Sequence, residues 1–272
     1  MIRRLYPYGK KKAFNITYDD GVLQDVRFVA LLNQYGLKGT FNLNSALMEN
    51  EFEWTHECGL VVKRLPTDDV KSIYAGHEVA CHTLSHPYMD NLSEDEILHE
   101  LVQDKFNLER LFGTEIRGFA IPFHYYSDLI RRCAKQCGFA YTRISEESHS
   151  FCPQYDFYSW KATVFHCCDD LQAWTTQFME TDTELALFQI VGHSYDLDVE
   201  NKWALMENIF AEISKATDIL PMTTIEITDY LKAMGKAQIT DQYIQNSSEI
   251  SLWFAMDDMV VEVKPNEKFD IH

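Results

Sequence analysis

The sequence predicts an α/β protein built from parallel βα units, arranged either as a barrel or as an open sheet. Short apolar segments alternate with amphipathic segments from residue 13 to about residue 230. The chain has 272 residues, and α/β barrels commonly use about 200–250 residues in one unit. No internal repeat and no Pro/Gly-rich linker interrupts the alternation. We therefore expect one main domain.

Each predicted strand is a short apolar run, and each predicted helix has amphipathic spacing between start and stop signals. The expected strands are residues 13–18, 38–43, 78–81, 118–121, 139–143, 185–191 and 223–227. The expected helices are residues 26–34, 67–75, 93–112, 127–136, 169–179 and 200–215. The clearest helix start is the capping box that begins at Ser93. Gly36 and Gly138 stand where helices commonly end in a left-handed residue.

The last part of the chain has a different pattern. Residues 251–255 and 259–263 are two short apolar runs joined at Asp257 and Asp258, which is typical of a β-hairpin. We expect the main barrel domain over residues 1–235 and a C-terminal β extension over residues 236–272 that packs on the barrel.

Composition narrows the class of partner. The formal net charge of −18 argues against nucleic acid or an anionic membrane as a partner, since those surfaces attract clustered Lys and Arg. Residues 1–16 lack the apolar core of a secretion signal, and no later run is long enough to span a bilayer. The seven cysteines form no paired CxxC pattern, so we expect reduced thiols and a cytoplasmic location. The sequence does not indicate an oligomeric state.

Polar residues follow several predicted strands at the point where each strand ends. Asp19 and Asp20 follow the first strand, His82 and His86 follow the strand at residues 78–81, and His193 follows residues 185–191. In parallel α/β barrels the active site is built at the carboxyl ends of the strands. The sequence therefore predicts that these side chains meet at the mouth of the barrel, the end where the strands have their carboxyl ends.

The residue types at this mouth suit a catalytic metal site. One of the two aspartates, Asp19 or Asp20, would join His82 and His86 to supply one carboxylate and two imidazoles, which leaves coordination positions open for water and substrate. The other aspartate would act as a base toward the attacking water, and His193 would protonate a leaving nitrogen. A His-x-x-x-His spacing alone is weak evidence; its combination with the aspartate pair carries the prediction.

Four segments resemble the motifs of polysaccharide deacetylases, the NodB-homology group of carbohydrate esterases. Residues 17–21 (TYDDG) resemble the family's TFDDG motif, and residues 76–87 contain a sequence similar to its HTxSH motif. Residues 119–123 (FAIPF) resemble the third motif, and residues 190–193 (IVGH) resemble the last. The order and spacing agree over roughly residues 10–230.

This resemblance implies a distorted (β/α) barrel with about seven strands that hydrolyses the N-acetyl group of a sugar with a divalent metal. It implies that Asp19 is the general base and His193 the general acid, and that the backbone N–H of Phe123 helps to hold the oxyanion. It also implies a metal bound by Asp20, His82 and His86. Zinc is expected, although Co²⁺, Ni²⁺, Mn²⁺ or Fe²⁺ would also suit these ligands.

The third motif departs from the family pattern. Many members begin it with an Arg that pairs with the catalytic base, and Ala120 holds that place here. Arg117, three residues earlier, is a candidate replacement. His124 stands where the family usually has Gly, which would narrow the mouth or add an imidazole that contacts substrate.

The fourth motif, an Asp near a Trp that orients the acid His, is indistinct. Asp156 with Trp160 is one candidate pair, and Asp196, three residues after His193, is the competing partner. Tyr195, beside His193, is a possible substrate contact.

The predicted function is hydrolysis of a carbon–nitrogen bond other than a peptide bond, by N-deacetylation of an N-acetylated sugar or polysaccharide. The first alternative keeps the fold and metal but acts on another amide or an O-acetyl ester of a small cytoplasmic substrate. The second alternative is a non-catalytic relative that binds carbohydrate.

Overall fold

Residues 2–257 and 259–271 of the chain are described by the computed structural model. The strands are β1 (Ile2–Leu5), β2 (Lys12–Asp19), β3 (Gly39–Leu43), β4 (Glu53–Thr55), β5 (Val61–Lys63), β6 (Glu78–Cys81), β7 (Gly118–Ala120), β8 (Tyr141–Glu147), β9 (Trp160–Ala162), β10 (Val164–Phe165), β11 (Ala186–Gly192), β12 (Ile219–Pro221), β13 (Gln238–Ile239), β14 (Tyr243–Gln245), β15 (Leu252–Met256), β16 (Met259–Val263) and β17 (Lys268–Asp270). The helices are α1 (Asp25–Gln34), α2 (Ser45–Glu49), α3 (Thr67–Ile73), α4 (Glu94–Phe112), α5 (Asp128–Gln136), α6 (Leu171–Glu180), α7 (Asp196–Val199), α8 (Trp203–Ile213) and α9 (Thr224–Met234). Short 3-10 turns cover Pro7–Gly9 and Met89–Asn91.

The central sheet is parallel and almost closed into a barrel. Its strands run in the order β10, β11, β2, β3, β6, β7, β8, β9, and β12 also pairs with β2. The longest register joins β11 to β2 and aligns Ala186 with Lys12 and Gly192 with Tyr18. All eight residues of β2 are buried, as expected for the strand at the centre of such a sheet. The predicted α/β class and distorted barrel are confirmed.

One predicted strand was wrong. Residues 223–227 begin helix α9, and the strand at this place is the shorter β12, immediately upstream. The Thr223 side chain accepts the N–H of Glu226, while the Glu226 side chain accepts the N–H of Thr223. This reciprocal cap satisfies two donors at the start of a helix, and it outweighs the strand preference of the β-branched run.

The predicted C-terminal hairpin is confirmed. β15 and β16 pair antiparallel, with Leu252 opposite Val263, and Asp258 of the predicted turn lies outside the described residues. The same small sheet includes β1, which pairs antiparallel with β15. β13, β14 and β17 form a separate antiparallel sheet. The boundary at residue 235 stays a prediction.

Two further observations concern the described residues as a set. All seven cysteines are free thiols, and the buried ones include Cys81 and Cys133. None of the helices in the described part of the chain is both long and apolar enough to cross a bilayer.

A buried glutamate lies at the end of the barrel opposite the strand carboxyl ends. Glu78, the first residue of β6, accepts hydrogen bonds from the hydroxyls of Thr40 and Tyr141 and from the N–H of Ile225. Burial outweighs these contacts and raises the pKa of Glu78 to about 7. Folding therefore favours the protonated carboxyl, and its contribution to stability is lost as pH rises from about 4 to about 7.

We expect Glu78→Gln to remove this pH dependence. An amide of the same shape can keep contacts with Thr40 and Tyr141 but does not ionise. Between pH 5 and pH 8 the parent should lose roughly 2–3 kcal/mol more unfolding free energy than the variant. Urea unfolding in the presence of a chelator measures this difference. Burial also raises the pKa values of Asp25 and Asp104 to about 7. Both residues are present in the parent and in the variant, so their pH dependence cancels in the comparison. An equal pH slope in the two proteins would contradict the prediction.

Candidate active site

Two adjacent aspartates lie where β2 ends. Asp19 is the last residue of β2, and Asp20 and Gly21 follow with left-handed φ angles of 85° and 63°. The Asp20 N–H donates to the carbonyl of Asn42 at 3.0 Å, which fixes this bend against β3. Both carboxylates are 5 % exposed. The bend therefore brings two buried carboxylates side by side at the carboxyl end of the barrel.

Asp20, His82 and His86 form a three-ligand group. Each offers one atom, and these atoms lie within 4.8 Å of one another. His86 Nε2 is 3.6 Å from Asp20 Oδ1, and the two imidazole centroids are 4.9 Å apart. Among the described residues, no hydrogen bond of good geometry reaches the buried Asp20 Oδ1, although the Arg64 guanidinium lies 2.8 Å from it. This donor set and its spacing suit a divalent metal such as zinc.

Neighbouring groups hold the first of these imidazoles in place. His82 Nδ1 lies 2.8 Å from the carbonyl of Ala120, a contact that requires Nδ1 to carry the proton and leaves the Nε2 lone pair available. The buried carboxyl of Asp104 accepts the backbone N–H of His82 at 3.2 Å and that of Ser45 at 2.8 Å. The Asn44 amide donates to the carbonyl of Thr83 at 2.9 Å. The loop after β6 is thus fixed by α4 and by the end of β3.

The charge states favour metal binding. Burial lowers the pKa of His82 to about 4 and also lowers the pKa of His86, so both imidazoles are neutral near pH 7. Burial alone would raise the pKa of Asp20, but Arg64 and the nearby histidines lower it further than burial raises it. Asp20 is therefore ionised. Neutral imidazole and carboxylate are the forms that coordinate a metal.

Arg143 is a site residue that the sequence analysis did not identify. From β8 it donates to Asp19 Oδ1, which also accepts from the Asn42 amide at 2.7 Å. Burial would raise the pKa of Asp19, but Arg143 and then His82 hold it below its usual value. Arg143 thus supplies the cation that the third motif lacks at Ala120.

Arg117, the candidate replacement for the arginine of the third motif, does not lie at the mouth of the barrel. Its guanidinium donates two hydrogen bonds, at 2.7 and 2.8 Å, to the carboxylate of Asp229 on α9. Arg117 belongs to the loop before β7, at the opposite end of that strand from Pro122. Strand β7 separates it from the mouth, so the geometry gives it no contact with Asp19.

His193 follows β11 and faces the ligand group. Its Nε2 is 3.9 Å from Asp20 Oδ2, and its Nδ1 is 2.9 Å from Asp196 Oδ2. Burial alone would lower the pKa of His193, but Asp196, Asp20 and Asp19 raise it to about 9. The imidazole is therefore protonated near pH 7 and is oriented by Asp196.

The other candidate partner of His193 is engaged elsewhere. Asp156 accepts two hydrogen bonds of 2.8 Å from Arg131, and the Trp160 indole N–H donates to Gln189 at 2.7 Å. Of the two predicted partners, Asp196 is the one in contact with His193.

Aromatic side chains surround the mouth. Tyr195 stacks on His193 with centroids 5.0 Å apart, and Trp54 meets Tyr195 edge-on at 5.4 Å. Phe123, with a left-handed φ of 56°, lies 4.6 Å from the ring of His86. His124 is exposed. The role of the Phe123 N–H stays a prediction.

A cavity of about 400 Å³ opens over the ligand group. Its lining includes Asp20, Phe52, Trp54, Arg64, His86 and Tyr195. Phe52, Trp54 and Arg64 come from the hairpin β4–β5 and the residues beside it, which the sequence analysis did not predict. The Arg64 guanidinium is 2.8 Å from Asp20 Oδ1 and 5.1 Å from the Trp54 ring. This hairpin therefore forms one wall of the cavity and contacts a candidate metal ligand.

Comparison with known proteins agrees with this geometry. Residues 7–142, half of the chain, match the family described as polysaccharide deacetylase, a segment that contains Asp19, Asp20, His82 and His86. The chain belongs to the polysaccharide deacetylase family. A peptidoglycan-N-acetylglucosamine deacetylase of Bacillus cereus is 26 % identical over 133 residues, which cover 48 % of this chain and 55 % of that protein. The chain thus spans about half the length of this curated relative.

Solved structures of other family members share the fold. A putative polysaccharide deacetylase from Mycobacterium smegmatis superimposes with a TM-score of 0.61 at 16 % identity, over 88 % of this chain and 96 % of that one. A mutant of a CE4 family pseudoenzyme from Bacillus anthracis, with restored enzymatic activity, gives a TM-score of 0.55 at 19 % identity, over 83 % of this chain and 70 % of that one. At these identities the likeness concerns the fold alone.

Proposed function

We propose that this polysaccharide deacetylase family member hydrolyses the acetamide bond of an N-acetylated sugar. The observation that carries the proposal is the arrangement of the side chains at the mouth of the barrel. An ionised Asp19 lies beside the group Asp20, His82 and His86, and a protonated His193 faces the same group. A base, a metal-binding group and an acid are the three parts that metal-assisted amide hydrolysis requires.

Asp20, His82 and His86 would hold the metal. A divalent cation there supplies a Lewis acid for the acetyl carbonyl and lowers the pKa of an attacking water. The contacts of His82 with Ala120 and Asp104 orient its imidazole before any ligand arrives. Such preorganised ligands need little rearrangement on binding.

Asp19 would take a proton from the attacking water. Arg143 and Asn42 hold one carboxylate oxygen, and the other oxygen lies 3.8 Å from His82 Nε2 on the side of the ligand group. Arg143 also keeps Asp19 ionised, which is the form a general base needs.

His193 would give a proton to the leaving nitrogen. Water oxygen bonds to the acetyl carbon, the carbon–nitrogen bond breaks, and the amine leaves with the proton from His193 while acetate forms. Asp196 orients the ring and stabilises its charged form. The raised pKa of about 9 keeps the acid protonated under neutral conditions.

The cavity supports a sugar as substrate. The aromatic side chains of Trp54 and Tyr195 line the cavity beside the ligand group, and the volume of about 400 Å³ is in the range that accommodates a small ligand. The name of the Bacillus cereus relative indicates N-acetylglucosamine in peptidoglycan as its substrate. We take N-acetylglucosamine oligosaccharides as the first substrate class for this chain.

Acetate release tests the proposal. The purified protein is stripped with a chelator, reloaded separately with Zn²⁺, Co²⁺ or Mn²⁺, and incubated with N-acetylglucosamine oligomers and with peptidoglycan fragments. We expect acetate and free amine in equal amounts from at least one pair of metal and sugar. Turnover of O-acetyl esters or non-sugar amides alone would favour the first alternative. Saturable oligosaccharide binding without turnover, in fully metal-loaded protein, would favour the non-catalytic alternative.

A further inference from the structure

A second cluster of metal-ligating side chains lies next to the candidate acid. His166, Cys167 and Asp196 each offer one ligand atom, and these atoms lie within 4.8 Å of one another. The set contains an imidazole nitrogen, a thiol sulfur and a carboxylate oxygen. None of these residues belongs to the group Asp20, His82 and His86.

The His166 ring is held rigidly and leaves one nitrogen without a partner. Its Nδ1 lies 2.5 Å from the Tyr18 hydroxyl, and the ring packs against the backbone of Gly192, where an added Cβ would lie 2.1 Å from Nδ1. The ring is 0 % exposed. Its Nε2 has no hydrogen-bond partner among the described residues, although the carboxylate of Asp196 is 3.4 Å away. A buried polar atom without a partner is unfavourable, and a cation would satisfy it.

The other two ligands face the same space. The Cys167 thiol contacts the carboxylate of Glu200, and Asp196 Oδ2 lies between His166 and His193. Zinc binds nitrogen, sulfur and oxygen ligands at about 2.0–2.3 Å, so closing this cluster on an ion needs side-chain shifts of about 1 Å. Lys202, which is 2.6 Å from Glu200, adds a positive charge nearby. That charge lowers the affinity of the cluster for a cation, as Arg64, 2.8 Å from Asp20 Oδ1, does in the group at Asp20.

We propose that His166 Nε2, Cys167 Sγ and a carboxylate oxygen of Asp196 form a second metal-binding site for zinc or a similar borderline-soft divalent cation. Glu200, already in contact with Cys167, would supply a fourth ligand. The mixed nitrogen, sulfur and oxygen donor set favours zinc or cobalt over magnesium or calcium.

Occupancy of this site would affect His193. Asp196 Oδ2 is 2.9 Å from His193 Nδ1 and 3.4 Å from His166 Nε2, so an ion that takes this oxygen removes it from His193. This consequence rests on the proposed function, in which His193 is the acid. Zinc beyond one equivalent should then slow acetate release by about ten-fold.

Titration with Co²⁺ tests the site directly, because cobalt bound to a thiolate gives a charge-transfer band in the near ultraviolet and the group Asp20, His82 and His86 contains no sulfur. The titration uses a Cys58→Ser background, since the exposed Cys58 sulfur is 3.2 Å from His56 Nδ1 and could bind the ion itself. The matched variants are Cys167→Ser, Cys168→Ser and Asp20→Ala, each in that background.

We expect the band in the background protein, in Cys168→Ser and in Asp20→Ala, and its loss in Cys167→Ser. No band at saturating Co²⁺, or a band of full intensity in Cys167→Ser, would overturn the proposal; the second result would mean that another thiol binds the ion. If acetate release exists, inhibition by excess zinc should disappear in Cys167→Ser. Absence of acetate release in every protein would count against the proposed function and would leave the outcome of the cobalt titration unchanged.

Discussion

Asp19→Asn should lower the rate of acetate release by about 10²–10⁴-fold while the protein keeps its metal. The amide cannot accept a proton from water, so the variant loses the base. The three candidate metal ligands are untouched. The substitution also leaves the buried Arg143 without a charged partner, which should lower stability by about 3 kcal/mol. Initial rates, metal content and urea unfolding on the same preparations separate these effects.

The control for this experiment is Asp156→Asn. Asp156 is another aspartate paired with an arginine, but its partner Arg131 and its exposed position place it outside the candidate site. We expect this variant to keep nearly the parent rate. Full activity in Asp19→Asn would mean that a different group removes the proton, and the assignment of the base would be withdrawn.

Asp20→Ala should weaken metal binding by more than about 100-fold, since removal of an outer contact to a ligand already costs about 10–100-fold. The remaining His82 and His86 give only two ligands from this group, and the positive charge of Arg64 no longer has the Asp20 carboxylate beside it. Metal analysis after dialysis against a weak chelator should find close to one equivalent in the parent and little in the variant. Acetate release should be lost in parallel.

His124→Ala is the matched control for metal binding, because His124 follows the third motif but is exposed. Metal content equal to that of the parent is expected. If Asp20→Ala retained a full equivalent while Cys167→Ser lost it, the ion would reside in the cluster at His166, and the assignment of the Asp20 group would be wrong.

The sequence predicted best those features that depend on local pattern. The capping box at Ser93 and the left-handed cap at Gly113 explain why the long helix α4 begins and ends where it does. The strand prediction for residues 223–227 was wrong because a short apolar β-branched run is compatible with both a strand and a helix. The Thr-x-x-Glu cap favoured the helix. Strand β1 depends on the distant β15, and β4 and β5 have only three residues each, so periodicity gave these strands little signal.

The residues of the candidate site also divide into those that a local sequence pattern predicted and those that it did not. Asp19, Asp20, His82, His86 and His193 stand at strand ends within recognisable motifs, and the structure brings them together. Arg143 was missed because its contact with Asp19 joins residues 124 positions apart and depends on the register of β7 with β8. Arg143 did stand at the end of a predicted strand, like the other site residues, and that position was the available signal. Arg64 had no such signal, since strand β5, which it follows, was not predicted.

The pairing of β1 with β15 has a consequence for how the chain folds during synthesis. Residues 2–5 leave the ribosome about 250 residues before their partners at residues 253–256. Domains generally fold as they emerge, N-terminal parts first. Here the barrel strands from β2 onward can assemble before β15 has been synthesised. Until then the β1 segment has no strand partner, and other chains could pair with it. The side chains of Arg3 and Arg4, which contact Asp182 and Glu184 in the finished fold, place positive charge on that strand in the interval and would discourage such pairing.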